Sequence, residues 1–311
     1  KTVLQYSITI AEPSTHYYHV DLFCDGWAED TIVFKLPKWM PGYYQIMDYG
    51  KNVENLVAKN KNGNNLQVDK QNENTWLLVV KKNTPFSLSY DVKSDRKFVA
   101  TNYLDSTHGY IIPPATFLYI KDHINTPVSV KVVSNNQWRK IATGLDSIPG
   151  KQNEFSAPDF DLLYDCPILI GNLEELPSFE VKGIKHRFIG YNWGIFNKNE
   201  FINNLKKIVQ ASLELIGDIP YTQYTFIGIG PGYGGIEHLN NTTISFNGNK
   251  LDDEGTMKRM MKYIAHEYFH NYNVKRIRPY ELGPFDYDRE NRTNLLWVSE
   301  GLTVYYEYIV A

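Results

Sequence analysis

One stretch constrains this chain more than any other: Ala265 to Asn273, read A-H-E-Y-F-H-N-Y-N. On a helix, residues four apart lie one above the other on the same face. His266 and His270 can then present two imidazole nitrogens to one tetrahedral metal. Glu267 stands beside them as a base for a water that the metal activates. Met257, Met260, Met261 and Ile264 supply apolar residues at helical spacing just upstream, which places the motif on a predicted helix. Further on, L-W-V-S-E-G-L-T-V-Y-Y-E (Leu296 to Glu307) reads as a second helix and offers Glu300 as third ligand. The interval from His270 leaves room for a loop and a helix to swing back onto the first. Two histidines and one glutamate, with a fourth position open, are the set of a catalytic zinc site. One zinc per chain is expected.

On the second helix Glu300, Thr303 and Glu307 fall at i, i+3 and i+7, on one face. Thr303 or Glu307 is therefore placed to accept the second N–H of a ligand histidine. Upstream, G-Y-G-G-I-E-H-L (Gly232 to Leu239) forms another constellation. Gly234 and Gly235 would let a peptide backbone approach an edge strand closely. Glu237, just after them, is positioned to pair with a substrate ammonium group. A glycine-rich turn before a strand is common, and the nearby metal helix is what gives this one weight.

The chain has 311 residues, more than one ordinary core accommodates, so two domains are expected. Residues 1–177 read as an all-β domain. Alternating runs recur at Val3–Ile10, Tyr17–Phe23, Thr31–Leu36, Thr75–Val80, Phe86–Val92 and Val128–Val133, with turn signals between them. The loop Leu36 to Tyr44, L-P-K-W-M-P-G-Y-Y, reads either as an aromatic plug on the core or as a substrate wall. Residues 178–311 read as a mixed domain, with strands at Ile184–Tyr191, Thr225–Ile229 and Thr242–Phe246. Its first long helix is Phe201–Ile216, ended by Gly217 and Pro220. The fold class is thus α+β and multidomain.

Net charge of −3 offers no basic field for a nucleic acid. The run Lys275-Arg-Ile-Arg278 is short and interrupted, fit to neutralise nearby carboxylates or to solvate a loop. No window reaches the ~18 uninterrupted apolar residues of a membrane span. Cys24 and Cys166 lack metal-ligand spacing, and their separation in sequence leaves pairing open. The tyrosine- and asparagine-rich β region suits a periplasmic or secreted protein, with a cytoplasmic one as the alternative; oligomeric state is left open. Val304 to Val310 keeps its apolar pattern to Ala311 without a terminating Gly, Pro or cap, the mark of a chain that continues. Peptidase activity would then need the continuation.

H-E-Y-F-H followed by W-V-S-E-G resembles the gluzincin metallopeptidases, the group of thermolysin and aminopeptidase N. The longer run His266 to Pro279, H-E-Y-F-H-N-Y-N-V-K-R-I-R-P, is more specific. With Leu282 to Tyr287, Glu290-Asn291 and Leu295 to Trp297, it resembles the PDZ-containing glycyl aminopeptidase family. Leu36 to Tyr44 is similar to that family's N-terminal proline-aromatic loop. Gly234 to His238 is similar to its counterpart of the Gly-x-Met-Glu-Asn exopeptidase motif. The resemblance implies an N-terminal β domain and the first part of a thermolysin-like catalytic domain. It also implies a zinc aminopeptidase acting on peptides with a small first residue, Gly or Ala. Two departures stand out. Val304 occupies the place of thermolysin's supporting Asp, so another group must orient His266. His238 replaces the motif's Asn. A zinc endopeptidase and a zinc-retaining peptide-binding scaffold are the alternative readings.

Overall fold

The structure is a computed structural model that describes residues 2–135 and 137–311. The chain folds as two compact units. One comprises the chain to Ile141, Leu145–Asn172 and Tyr287–Glu290; the other comprises Ala142–Gly144, Leu173–Asp286 and Asn291–Ala311.

The first unit is built on β-structure. Its eight-stranded sheet has Val3–Thr9 near the middle, parallel to Val128–Val133 and antiparallel to Tyr17–Asp25. Strand alternation puts every second side chain on the inner face. Leu4, Tyr6 and Ile8 face inward, opposite Cys24, Leu22 and Val20, and Phe86–Lys93 continues the layer with Leu88 and Tyr90. A second sheet pairs Thr31–Lys35 with Thr75–Val79. Buried tyrosines find acceptors in the backbone: Tyr90 donates to Thr116 O at 2.8 Å and Tyr164 to Phe117 O at 2.9 Å. In the proline-aromatic loop, Leu36, Trp39 and Met40 are core residues, so this part of the loop plugs the unit's interior. Lys38 N and Trp39 N both donate to Tyr287 O, at 2.7 and 3.1 Å. Cys24 and Cys166 are both buried and are not joined in a disulfide.

The second unit carries a mixed sheet ordered Glu174–Glu175, Ile184–Tyr191, Gln223–Ile229, Asn241–Ser245, Gly234–Glu237. Ile184–Tyr191, Gln223–Ile229 and Asn241–Ser245 run parallel. Parallel neighbours need a crossover, and the helix Lys198–Ile216 supplies the first. Asn197 caps its start through Glu200 N, and Gly217, at φ 94°, ends it. Gly234–Glu237 turns back antiparallel as an edge strand. Phe188, Trp193, Phe201, Phe226, Ile244 and Tyr268 belong to one buried cluster. Each such side chain contributes about 1.5–3 kcal/mol on burial.

Two further helices complete the unit. The motif helix, Glu254–Phe269, starts where Asp253 accepts from Thr256 N at 2.8 Å. Met257, Met261, Ile264, Ala265 and Tyr268 bury its inner face, while Lys258 and Arg259 stay outside. The last helix, Leu296–Val310, buries Ser299 and Thr303 and stacks Tyr306 on Phe269 at 4.6 Å. Its other face leaves Trp297, Leu302, Tyr305 and Tyr308 exposed. No helix among the described residues is long and apolar enough to cross a membrane.

Candidate metal centre

The motif helix ends at Phe269 and His270 caps it, so the two histidines sit on its last turn. Their rings are 4.6 Å apart and perpendicular. Each ring has a committed acceptor on its inner nitrogen. His266 Nδ1–H donates to Glu307 Oε2 at 2.9 Å, and His270 Nδ1–H donates to Asn273 O at 2.9 Å. Protons on both Nδ1 atoms leave both Nε2 lone pairs facing each other, 3.0 Å apart. Glu300 completes a triangle. Its Oε2 lies 3.3 Å from His266 Nε2 and 3.7 Å from His270 Nε2. Three acceptor atoms brought this close call for a metal ion or a proton between them. With zinc-to-ligand bonds of about 2.0–2.2 Å, a tetrahedral site has edges of roughly 3.4 Å, and this triangle fits.

His266, His270 and Glu300 form the one group of metal-capable side chains found among the described residues. The charges around it follow. Burial alone would depress the His266 imidazolium, but Glu300, Glu267 and Glu307 outweigh it and raise the group. Burial pushes Glu300 up, and the two imidazoles pull it net downward.

Glu267, only 7% exposed, lies one residue on along the helix. Burial, then the Glu237 carboxylate, pushes its pKa up to about 8, against the pull of His266 and of a hydrogen bond from Tyr263. It faces the edge strand. A Cβ placed on Gly235 would lie 2.5 Å from the Tyr263 hydroxyl and 2.9 Å from Glu267 Oε1. Gly235 is therefore what lets the motif helix press this closely on the sheet. Gly234 has φ +118°, a conformation that glycine adopts without strain. Residues two apart in a strand point to the same side. Glu237, 5% exposed, thus projects toward the motif helix as Gly235 does.

Of the two supporting candidates on the last helix, Glu307 contacts His266 directly. Thr303 Oγ1 lies 3.4 Å from His270 Nδ1, and its shorter contact is to Asn273 Nδ2, at 3.0 Å. Asn273 itself escaped the sequence reading. Its carbonyl takes the His270 proton, and its amide donates to Ser299 O at 2.8 Å, tying the motif turn to the last helix. Tyr263 was missed too, although it stands four residues before Glu267, the spacing at which helical side chains meet. Of the basic run, Arg276 pairs with both oxygens of Asp218 at 2.8 Å.

A helix-borne pair of histidines completed by a glutamate from the next helix, beside an edge strand, is the architecture of a zinc metallopeptidase. More narrowly, the chain belongs to peptidase family M61. The family's Peptidase M61 N-terminal domain matches residues 5–172, and M61 glycyl aminopeptidase matches residues 259–311. Among solved structures, an aminopeptidase N family protein from Idiomarina loihiensis superposes with a TM-score of 0.90 at 27% identity. The match covers 98% of this chain and 54% of that one, so the chain spans about half the length of that relative. An M1 zinc metallopeptidase from Deinococcus radiodurans shares the fold at 13% identity and a TM-score of 0.53, over 87% of this chain and 63% of that one. A mutant of the Deinococcus enzyme bound to a Tyr-Ser-Ala substrate matches at 14% identity and a TM-score of 0.50, over 86% and 63%. No curated protein matches the chain.

Proposed function

We propose that this protein is a zinc aminopeptidase that removes a single residue, small and preferably Gly or Ala, from the amino end of peptides. The observation that carries the reading is a charge arrangement. Two buried carboxylates, Glu267 and Glu237, stand beside a three-acceptor triangle, which gathers negative charge and lone pairs where a metal ion and a substrate ammonium group would bind.

His266, His270 and Glu300 would hold one zinc per chain. When bound, the ion supplies Lewis-acid polarisation of the scissile carbonyl and lowers the pKa of water from 15.7 toward about 7. Glu267 takes the proton of the attacking water on its carboxylate and delivers it to the leaving amine nitrogen. Glu307 and the Asn273 carbonyl, with Thr303 behind, hold the imidazoles in the tautomer that points Nε2 at the metal position. The Gly234–Gly235 backbone lies along the peptide, and Glu237 accepts from its free ammonium group. That pairing measures one residue from the scissile bond. The family's description as glycyl aminopeptidase supports the small first residue.

An endopeptidase would use the same metal chemistry, but it has no need of a buried carboxylate at Glu237. The test is a pair of rates for the full-length protein, on an unblocked peptide and on its N-acetylated twin. Wild type should prefer the unblocked peptide. Glu237→Gln should cost mainly the unblocked rate, by roughly 2–4 kcal/mol. Equal rates on the twins in wild type, or an unchanged ratio in the variant, would hand the reading to the endopeptidase. Elemental analysis should find about one zinc per chain in wild type and little in His266→Ala.

A further inference from the structure

Beyond the metal position, a cleft of about 420 Å³ opens along the motif helix. It begins at Tyr263 and Tyr233 and runs past Phe246 and Met260 to Lys250 and Arg259. Tyr233 is 92% exposed, and its ring stacks on that of Tyr263 at 6.1 Å and 9°. The walls are largely apolar, and the only charged side chains that line the cleft are the two cations.

Direction follows from the edge strand. A peptide pairing antiparallel to Gly234–Glu237 has its amino end at Glu237 and runs toward Gly232 and Tyr233. Residues after the scissile bond therefore travel into this cleft. From Glu267 back to Arg259 is eight helical residues, about 12 Å, which an extended peptide covers in about three or four residues. A short peptide thus brings its terminal carboxylate to the two cations. Arg259 is held there by a bond from Nη2 to Thr256 Oγ1 at 2.8 Å. The nearest carboxylate, Asp253, stands 3.9 Å away, and its Oδ1 already accepts from Thr256 N and Oγ1. The guanidinium keeps donors for a ligand.

We propose that this cleft is a leaving-side subsite that selects short peptides by their free C-terminal carboxylate, anchored by Arg259 and Lys250. The inference rests on the aminopeptidase reading for its direction, and it narrows the substrate class to peptides of about four or five residues.

The test uses full-length, zinc-loaded protein carrying Glu267→Gln to block turnover. Calorimetry compares tetra-alanine, its C-terminal amide and its N-acetylated form. The free acid should bind roughly fivefold more tightly than the amide, as suits an exposed charge pair, and less so at high salt. In Arg259→Gln/Lys250→Gln that ratio should fall toward one, and Arg259→Glu should invert it. Both side chains are exposed, so the variants keep the fold, which circular dichroism verifies. Equal binding of acid and amide, an unchanged ratio in the double variant, or no binding of either peptide at millimolar concentration overturns the subsite. The acetylated peptide separates the two proposals. If it binds as well as the free amine while the acid still outbinds the amide, the subsite stands and the aminopeptidase reading falls.

Discussion

Glu307 Oε2 lies 2.9 Å from His266 Nδ1, across two helices that meet only through tertiary packing. The last helix therefore presents Glu300 to the Nε2 atoms of the two histidines and, two turns later, a carboxylate to the Nδ1 of His266. Val304 stands between them and has no acceptor to offer. Glu307→Gln keeps the size and an acceptor oxygen but removes the charge that fixes the imidazole tautomer. Zinc affinity should drop by about 10–100-fold, read by competition with a chromophoric chelator. An unchanged affinity would show that the contact is incidental to the metal.

Gly235 should tolerate no side chain. In Gly235→Ala the new methyl group meets the Tyr263 hydroxyl and Glu267 Oε1, so the motif helix or the strand must move. We expect a loss of about 1–3 kcal/mol in unfolding free energy. Activity should fall by more than that loss explains, because Glu267 is the group displaced. A fully active, fully stable variant would mean that the helix-to-strand contact is looser than it stands here.

The Tyr263 hydroxyl stands beside Glu267 and pulls its pKa down, and so acts on the proposed proton carrier. Tyr263→Phe keeps the ring stacked on Tyr233 and deletes only the hydroxyl. The expected result is a fall in kcat of about 3–10-fold with KM little changed. A change confined to KM would place the tyrosine with substrate binding instead.

His186 gives the second unit a pH dependence. Burial, against one backbone carbonyl partner, holds its pKa down at about 4. The unfolded chain takes up that proton near pH 6.5. Between about 6.5 and 4 the unfolded state binds the extra proton, so stability falls as pH falls, by up to ~1.4 kcal/mol per pH unit. His186→Gln loses the stack on Phe179 and the bond to Tyr221 Oη, and should be less stable at pH 7. Its deficit against wild type should shrink steadily toward pH 4 in urea titrations. A constant deficit would mean that His186 titrates normally.

Where one face of a segment is buried and the other wet, the pattern was readable. Val3–Thr9 and Val128–Val133 alternate cleanly, and the motif helix shows its 3.6 period in methionines. Elements without that contrast were missed. Val53–Asn60 has only Val53 and Ala58 buried, and Asn55 at φ 54° breaks the alternation with an irregular register. His108–Ile111 and Ile168–Gly171 are buried at every position, so neither carries a period. At the candidate metal centre, the grouping of the two histidines with Glu300 was legible in the i, i+4 motif and in the helix pattern of Leu296 to Glu307. The Asn273 contact was not, because a backbone carbonyl leaves no trace in side-chain chemistry. It depends on the turn through Val274, at φ 148°.

The edge strand Gly234–Glu237 has a consequence for the free protein as well as for its ligands. An open ladder recognises any extended backbone, including the same strand of another copy, and such edges are the usual seeds of aggregation. Here the hazard is limited by construction. The strand is four residues long, begins with two glycines and carries a charge at its end. Two copies zipped together along so short a strand would gain few ladder bonds, and each would set its Glu237 carboxylate at the rim of the contact. Brevity and charge, the features that suit this strand to a short peptide with a free amine in the proposed reading, are thus also features that weigh against edge-to-edge association.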